Sequence, residues 1–205
     1  MKKKIHQIFL DVGLGKFEDN LTYVQTMVTN KKNYGHIYEF KLWNDEMVEE
    51  LVKEYSKEIQ DLWNNFPNKF YKVDFSRFLI LYKEGGIYLD LDLLIKKDPA
   101  PIFKQNFMAL WNHQANNEIG DGKVNNDVIH LLDKNDYMEF IKFIIKRSNE
   151  CKMPKNWRIR RFKHIVSNHC YHMYCKYKKY NLDGYQGLVN KYFYSYWTVA
   201  WTKVL

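Results

Sequence analysis

Val73-Asp74-Phe75-Ser76-Arg77-Phe78-Leu79-Ile80-Leu81-Tyr82-Lys83-Glu84-Gly85-Gly86-Ile87-Tyr88-Leu89-Asp90-Leu91-Asp92 is the stretch from which the rest of the 205-residue sequence is read. Phe70, Val73, Arg77 and Ile80 recur along one line of a helix, with Phe75, Phe78, Leu79 and Tyr82 beside it. That spacing predicts a helix from about Lys69 to Glu84. Gly85-Gly86 ends it, the first glycine taking the left-handed conformation of a helix C-cap. The apolar run Ile87–Ile95 then reads as one strand. Alternation puts Ile87, Leu89, Leu91 and Leu93 on one face and Tyr88, Asp90 and Asp92 on the other. Two carboxylates on one face, roughly 6–7 Å apart, repel and lose hydration unless a cation lies beside them. A hard divalent cation, Mn²⁺ or Mg²⁺, takes oxygen ligands and keeps positions for phosphate oxygens. The polar face of an edge strand is the other reading that this spacing leaves open.

Working outward, Lys4–Leu10 alternates and runs into Asp11-Val-Gly-Leu-Gly, a first strand and loop. Phe17, Leu21, Val24 and Val28 follow at helical spacing up to Gly35. His36–Trp43 reads as a second strand, and Asn44 as the N-cap of a helix through about Tyr55. Downstream, Phe107–Trp111 reads as a strand, Asn112–Lys123 as a loop, and Asn125–Leu132 and Asp136–Arg147 as helices. Strand–helix alternation over the first half predicts an α/β sheet with parallel neighbours. No repeat or Pro/Gly/Ser linker interrupts the chain, so residues 1–205 are expected to form one domain.

Composition narrows the function classes. Aromatics make up 17% of the residues, with 16 Tyr, 13 Phe and 6 Trp; such rings serve a core or stack on bases and sugars. The net charge is +8, and Phe140–Tyr180 holds twelve Lys/Arg against the single acid Glu150. That segment is either a solvated basic face or an attractor for an anionic acceptor or a lipid surface. No apolar run approaches the ~20 residues of a membrane span. The basic start reaches Asp11 too soon for a signal-peptide core of ~7–15 apolar residues. Cys151, Cys170 and Cys175 read as free thiols. The chain as given is therefore expected to be soluble and cytoplasmic.

The Val73–Asp92 run closely resembles the sugar-binding, DXD-containing glycosyltransferases (family 32-like). These include the yeast initiating α-1,6-mannosyltransferases and, more distantly, the glucosylating clostridial toxins. The shared pattern is an Asp three residues before an Arg, a helix, Gly-Gly-x-Tyr and Asp-x-Asp. Ile5-His6-Gln7-Ile8-Phe9 and Tyr38-Glu39-Phe40-Lys41-Leu42-Trp43-Asn44-Asp45 match in the right order. The resemblance implies the GT-A nucleotide-diphospho-sugar transferase fold, a Rossmann-like mixed sheet flanked by helices. The donor-binding half would be about 1–112 and the acceptor or closing half about 113–205. It implies a retaining transfer from a UDP- or GDP-sugar to a glycan or glycoconjugate.

By the same resemblance, Asp92 would ligate Mn²⁺ or Mg²⁺ directly, and Asp90 would reach it through water or hold the ribose. His6, Gln7, Phe9, Gly86, Tyr88, Ser195 and Trp197 would contact the donor, Phe9 replacing the family's stacking Trp. Tyr88 is equally readable as core. Asp74 and Arg77, one turn apart, would hold sugar hydroxyls or pair with each other. Asn126 and Asp127 would face the reacting sugar. Many members carry a His shortly before Ser-x-Trp; no His follows His172 here, so water, phosphate or Asn190 would complete the cation's shell. Competing readings are a weak sugar-nucleotide binder or hydrolase, a zinc site among His164, His169, Cys170, His172 and Cys175, and a basic nucleic-acid binder. No nucleic-acid motif is present, so nucleic acid is not an expected partner.

Overall fold

The computed structural model describes residues 2–66, 69–104, 107–111, 123–150 and 193–195. Strand β1 (Lys3–Ile8) lies at the centre of a mixed sheet, parallel to β2 (Tyr38–Trp43) on one side and β3 (Ile87–Leu89) on the other. Strand β6 (Lys123–His130) runs antiparallel to β3, and β5 (Phe107–Trp111) antiparallel to β6, giving the order β2-β1-β3-β6-β5. A second, two-stranded sheet pairs β4 (Leu93–Ile95) with β7 (Phe193–Ser195). The α/β expectation holds: the sheet is mixed and flanked by helices.

Helices α2 (Asp45–Lys53), α3 (Lys57–Asn64), α4 (Lys69–Glu84) and α5 (Lys134–Glu150) supply the main core on one face. Phe75, Phe78, Leu79, Ile80 and Leu81 of α4 are fully buried there, with Ile8, Trp43, Tyr88, Ile129 and Phe140. Asn44 caps α2 as expected, its side chain accepting from the Met47 amide at 2.9 Å. The opposite face holds a smaller cluster that includes Ile5, Ile87, Leu89, Leu93, Ile95, Val128 and Phe193. Gly85 closes α4 with φ +68° and its N–H on the Leu81 carbonyl at 2.9 Å.

Two expectations are corrected. Asn125–Leu132 is not helical: residues 123–130 form β6, because pairing on both edges and the burial of Val128 and Ile129 outweigh the weak strand preference of Asn and Asp. Ile87–Ile95 is not one strand. It stops at Leu89, turns through Asp90–Asp92, and resumes as β4 in the other sheet. Helix α1 (Leu21–Tyr34) forms where the helical spacing put it and ends at Gly35, but it does not bury the line Leu21, Val24 and Val28. Leu21 is 67% exposed and Val28 55%, while Thr26 and Asn30 are buried. Helix α3 was not legible as a separate element.

Candidate active site

At the carboxyl ends of β1 and β3, where open α/β sheets bind ligands, lies a cleft of about 200 Å³. Phe9 and Leu10 enter it from the end of β1, Tyr23 from α1, Phe70, Val73 and Arg77 from α4, and Tyr88, Asp90 and Asp92 from β3 and its following turn.

Strand alternation puts Tyr88 and Asp90 on the α4 side, opposite Ile87 and Leu89, as the sequence pattern requires. There Arg77, 7% exposed, reaches Asp90 Oδ1 at 3.0 Å and Asp74 Oδ1 at 3.4 Å. Its guanidinium lies 4.7 Å from the Tyr88 ring centroid, and the Tyr88 hydroxyl donates to Asp90 Oδ1 at 2.5 Å. Both open readings thus have a counterpart: Asp74 and Arg77 do pair, and Tyr88 is fully buried yet borders the cleft. Burial works against the Arg77 charge, but Asp90, Tyr88, Asp74 and Asp127 outweigh it and hold its pKa above the usual value.

Asp92 reaches the cleft by a different route. The Asp90 amide donates to the Asp127 carbonyl at 2.8 Å, and the Leu93 amide closes the turn on the Asp90 carbonyl at 3.2 Å. Asp92 forms no ion pair among the described residues. Burial, and then the charge of Asp90, push its carboxyl up to about 6. Burial likewise raises Asp127 well above the carboxylate range, reinforced by the charge of Asp90 and the hydrogen bond to it.

His6, Gln7 and Gly86 do not line the cleft. His6 is fully buried; its Nδ1 accepts from Trp43 Nε1 at 3.1 Å, which leaves Nε2 as the donor to the Gly85 carbonyl at 2.9 Å. Gly86, at φ +88°, lies so close to β1 that a Cβ would come within 2.5 Å of the Lys4 carbonyl oxygen. Gln7 is buried, its Nε2 without a hydrogen-bond partner among the described residues. The backbone of Ser195 pairs in register with Leu93, next to the turn. Asn126 lies on β6 one residue from Asp127. Trp197, Asn190 and the His/Cys group at 164–175 fall outside the described residues, as does the basic segment beyond Glu150.

Tyr23 is the cleft residue that the sequence reading missed. Its ring lies 6.2 Å from that of Phe9, edge-on. Burial, then the charges of Asp92 and Asp90, raise its pKa. The available signal was polar: Tyr23, Thr26 and Asn30 repeat at i, i+3 and i+7, one face of a helix.

The oxygen-only donor set of Asp92 and Asp90 suits a hard divalent cation. Asp90 Oδ1 is already engaged by Arg77 and Tyr88, which leaves Asp92 the freer ligand. Among the described residues no three His, Cys, Asp or Glu side chains gather closely enough to enclose a metal ion. The remaining positions would thus fall to oxygens of a bound ligand and water.

A mixed α/β sheet with an acidic, aromatic-walled cleft at its strand ends defines a ligand-binding α/β domain. Residues 18–118 match the family model described as glycosyltransferase sugar-binding region containing DXD motif, so this region of the chain is similar to that family. Inositol phosphoceramide mannosyltransferase 1 of Schizosaccharomyces pombe is 32% identical over 68 residues, covering 33% of this chain and 21% of the relative. Inositol phosphoceramide mannosyltransferase 3 of the same yeast is 39% identical over 65 residues, covering 32% and 18%. The matched part therefore spans only about a fifth of each relative's length. The apo-form glycosyltransferase GlyE of Streptococcus pneumoniae superposes with a TM-score of 0.45 at 14% identity, covering 81% of this chain and 43% of that one.

Proposed function

We propose that the chain is a cation-assisted glycosyltransferase. It binds a UDP- or GDP-sugar in the cleft and transfers the sugar, with retention, to a hydroxyl of a glycan or glycoconjugate. The observation that supports this best is the meeting in one cleft of Asp92, the Arg77–Asp90–Tyr88 cluster and the aromatic pair Phe9 and Tyr23. Phe9 and Tyr23 offer faces and a hydroxyl to a nucleoside. Asp74 and Arg77 offer an acceptor and donors to sugar hydroxyls. Asp92, with Asp90 behind it, would hold Mn²⁺ or Mg²⁺, which when bound neutralises the charge gathering on the leaving diphosphate. Asp127, its pKa raised by burial and by the charge of Asp90, would lie behind the carboxylate pair and face the reacting sugar. The bond from the anomeric carbon to the diphosphate oxygen breaks and the bond to the acceptor oxygen forms on the same face. The acceptor's proton passes to the departing diphosphate.

The test is a thermal-shift screen of nucleotide sugars with and without Mn²⁺. A mannose-bearing nucleotide comes first, since the two fission-yeast relatives are named as mannosyltransferases. A ligand at a hundredfold its Kd stabilises the folded state by about 2.7 kcal/mol, several degrees in Tm. Asp92→Asn is expected to abolish the Mn²⁺-assisted shift, and a variant that retains it would sink the proposal. An NMR time course reads the anomer of the first product and checks retention.

A further inference from the structure

Asn30 is a fully buried polar residue of α1, and what matters is where its two polar atoms go. Its Nδ2 donates to the Leu93 carbonyl at 2.9 Å, and its Oδ1 accepts from the Ile95 amide at 2.9 Å. In a strand, residues i and i+2 send their N–H and C=O groups to the same edge. The opposite edge of β4 faces β7, whose register pairs Leu94 with Tyr194. Asn30 thus takes the place of a neighbouring strand on the free edge of β4, with one carboxamide matching one donor and one acceptor. The contact spans 63 residues of sequence and is shielded from water.

Its position gives it consequence. Leu93 is the residue after Asp92, and its amide closes the Asp90–Leu93 turn. The turn is therefore anchored at both ends, by the Asp127 carbonyl on the Asp90 amide and by Asn30 on Leu93. Thr26, one turn before Asn30, is also buried and turns its hydroxyl back onto the Thr22 carbonyl, so it makes no claim on β4. The same face of α1 carries Tyr23 into the cleft.

We propose that Asn30 is a positioning residue of the cation site: by serving as the missing edge partner of β4, it fixes the Asp90–Leu93 turn and with it the direction of the Asp92 carboxylate. This rests on the cation reading above. Supporting groups around metal ligands typically change metal affinity by about 10–100-fold when removed.

The test uses the whole chain and Asn30→Asp, which keeps size and the acceptor for Ile95 but loses the donor to Leu93. Val48→Ala, a core change on the other face of the sheet, serves as a control matched for lost stability. Two readouts are taken: Mn²⁺ affinity by calorimetry, and hydrogen exchange of the peptide covering residues 90–95 without metal. The expected result for Asn30→Asp is faster exchange confined to that peptide and Mn²⁺ binding weakened about tenfold, with neither change in the control. Native exchange at 90–95, or wild-type Mn²⁺ affinity in a folded Asn30→Asp, overturns the proposal. If Asn30→Asp does not fold, Asn30→Ser is read by the same criteria. If the wild-type chain binds no Mn²⁺, the cation reading fails, and the exchange arm alone decides whether Asn30 holds the turn.

Discussion

His6 lies in β1 with one ring nitrogen accepting from Trp43 and the other donating to Gly85, and burial pushes its pKa down from 6.5 to about 4. A protonated ring has no lone pair for the Trp43 indole, so the native state resists the second proton. The unfolded chain binds that proton more readily, so this contribution to stability is intact above pH 6.5 and is lost as pH falls toward 4. The shift corresponds to a swing on the order of 3 kcal/mol. Asp92 and Asp127 are shifted the opposite way, so the measurement is a difference between proteins. His6→Gln can accept from Trp43 and donate to Gly85 without titrating. Denaturant unfolding from pH 7.5 down to pH 4 should show a shallower loss of stability in that variant than in the wild type. Parallel curves would show that the ring is not the titrating group.

Among the elements, the junction of α4 with β3 is the one most closely fitted. Gly85 and Gly86 both have positive φ, but only Gly86 lies against β1; a Cβ on Gly85 meets nothing within 4 Å. Gly85→Ala should therefore cost only the backbone strain, roughly 1–2 kcal/mol. Gly86→Ala adds a collision with the Lys4 carbonyl, roughly 2–5 kcal/mol in all. Chemical denaturation of the two variants checks the order. This junction was readable from sequence because a helical period meeting Gly-Gly and an alternating strand leaves few arrangements. The buried face of α1 was not: it is Thr26 and Asn30, and Asn30 is held there by its bonds to β4 rather than by hydrophobicity. The break at Asp90–Asp92 was hidden for a related reason. Continuous apolar character extends through Ile95, and only the pairing of β4 with β7 reveals the change of sheet.

At the scale of the whole molecule, the site divides between what is local in sequence and what the fold assembles. Asp74, Arg77, Tyr88, Asp90 and Asp92 lie within one short run, so their joint role was legible. Tyr23, Asp127 and Asn30 come to them from other elements, and no spacing rule connects them. The net charge of +8 belongs to this scale as well. Exposed charges act over about 8–10 Å at moderate salt, whereas groups in a shielded cleft are screened less. Raising salt to several hundred millimolar should weaken KM for an anionic acceptor severalfold while leaving the donor Kd nearly unchanged, measured side by side in steady-state assays and calorimetry. Equal weakening of both would place the basic charge at the donor instead.

The pairing of β4 with β7 joins positions about a hundred residues apart. During synthesis, β1 to β3, α4 and the acidic turn all emerge well before residues 193–195 exist. Until then the strand that follows Asp92 has Asn30 on one edge and no partner on the other. Closing so long a loop is slow compared with local helix formation. The nascent chain can therefore assemble its sheet and core early, while the region around the acidic turn gains this strand only after residues 193–195 have been made.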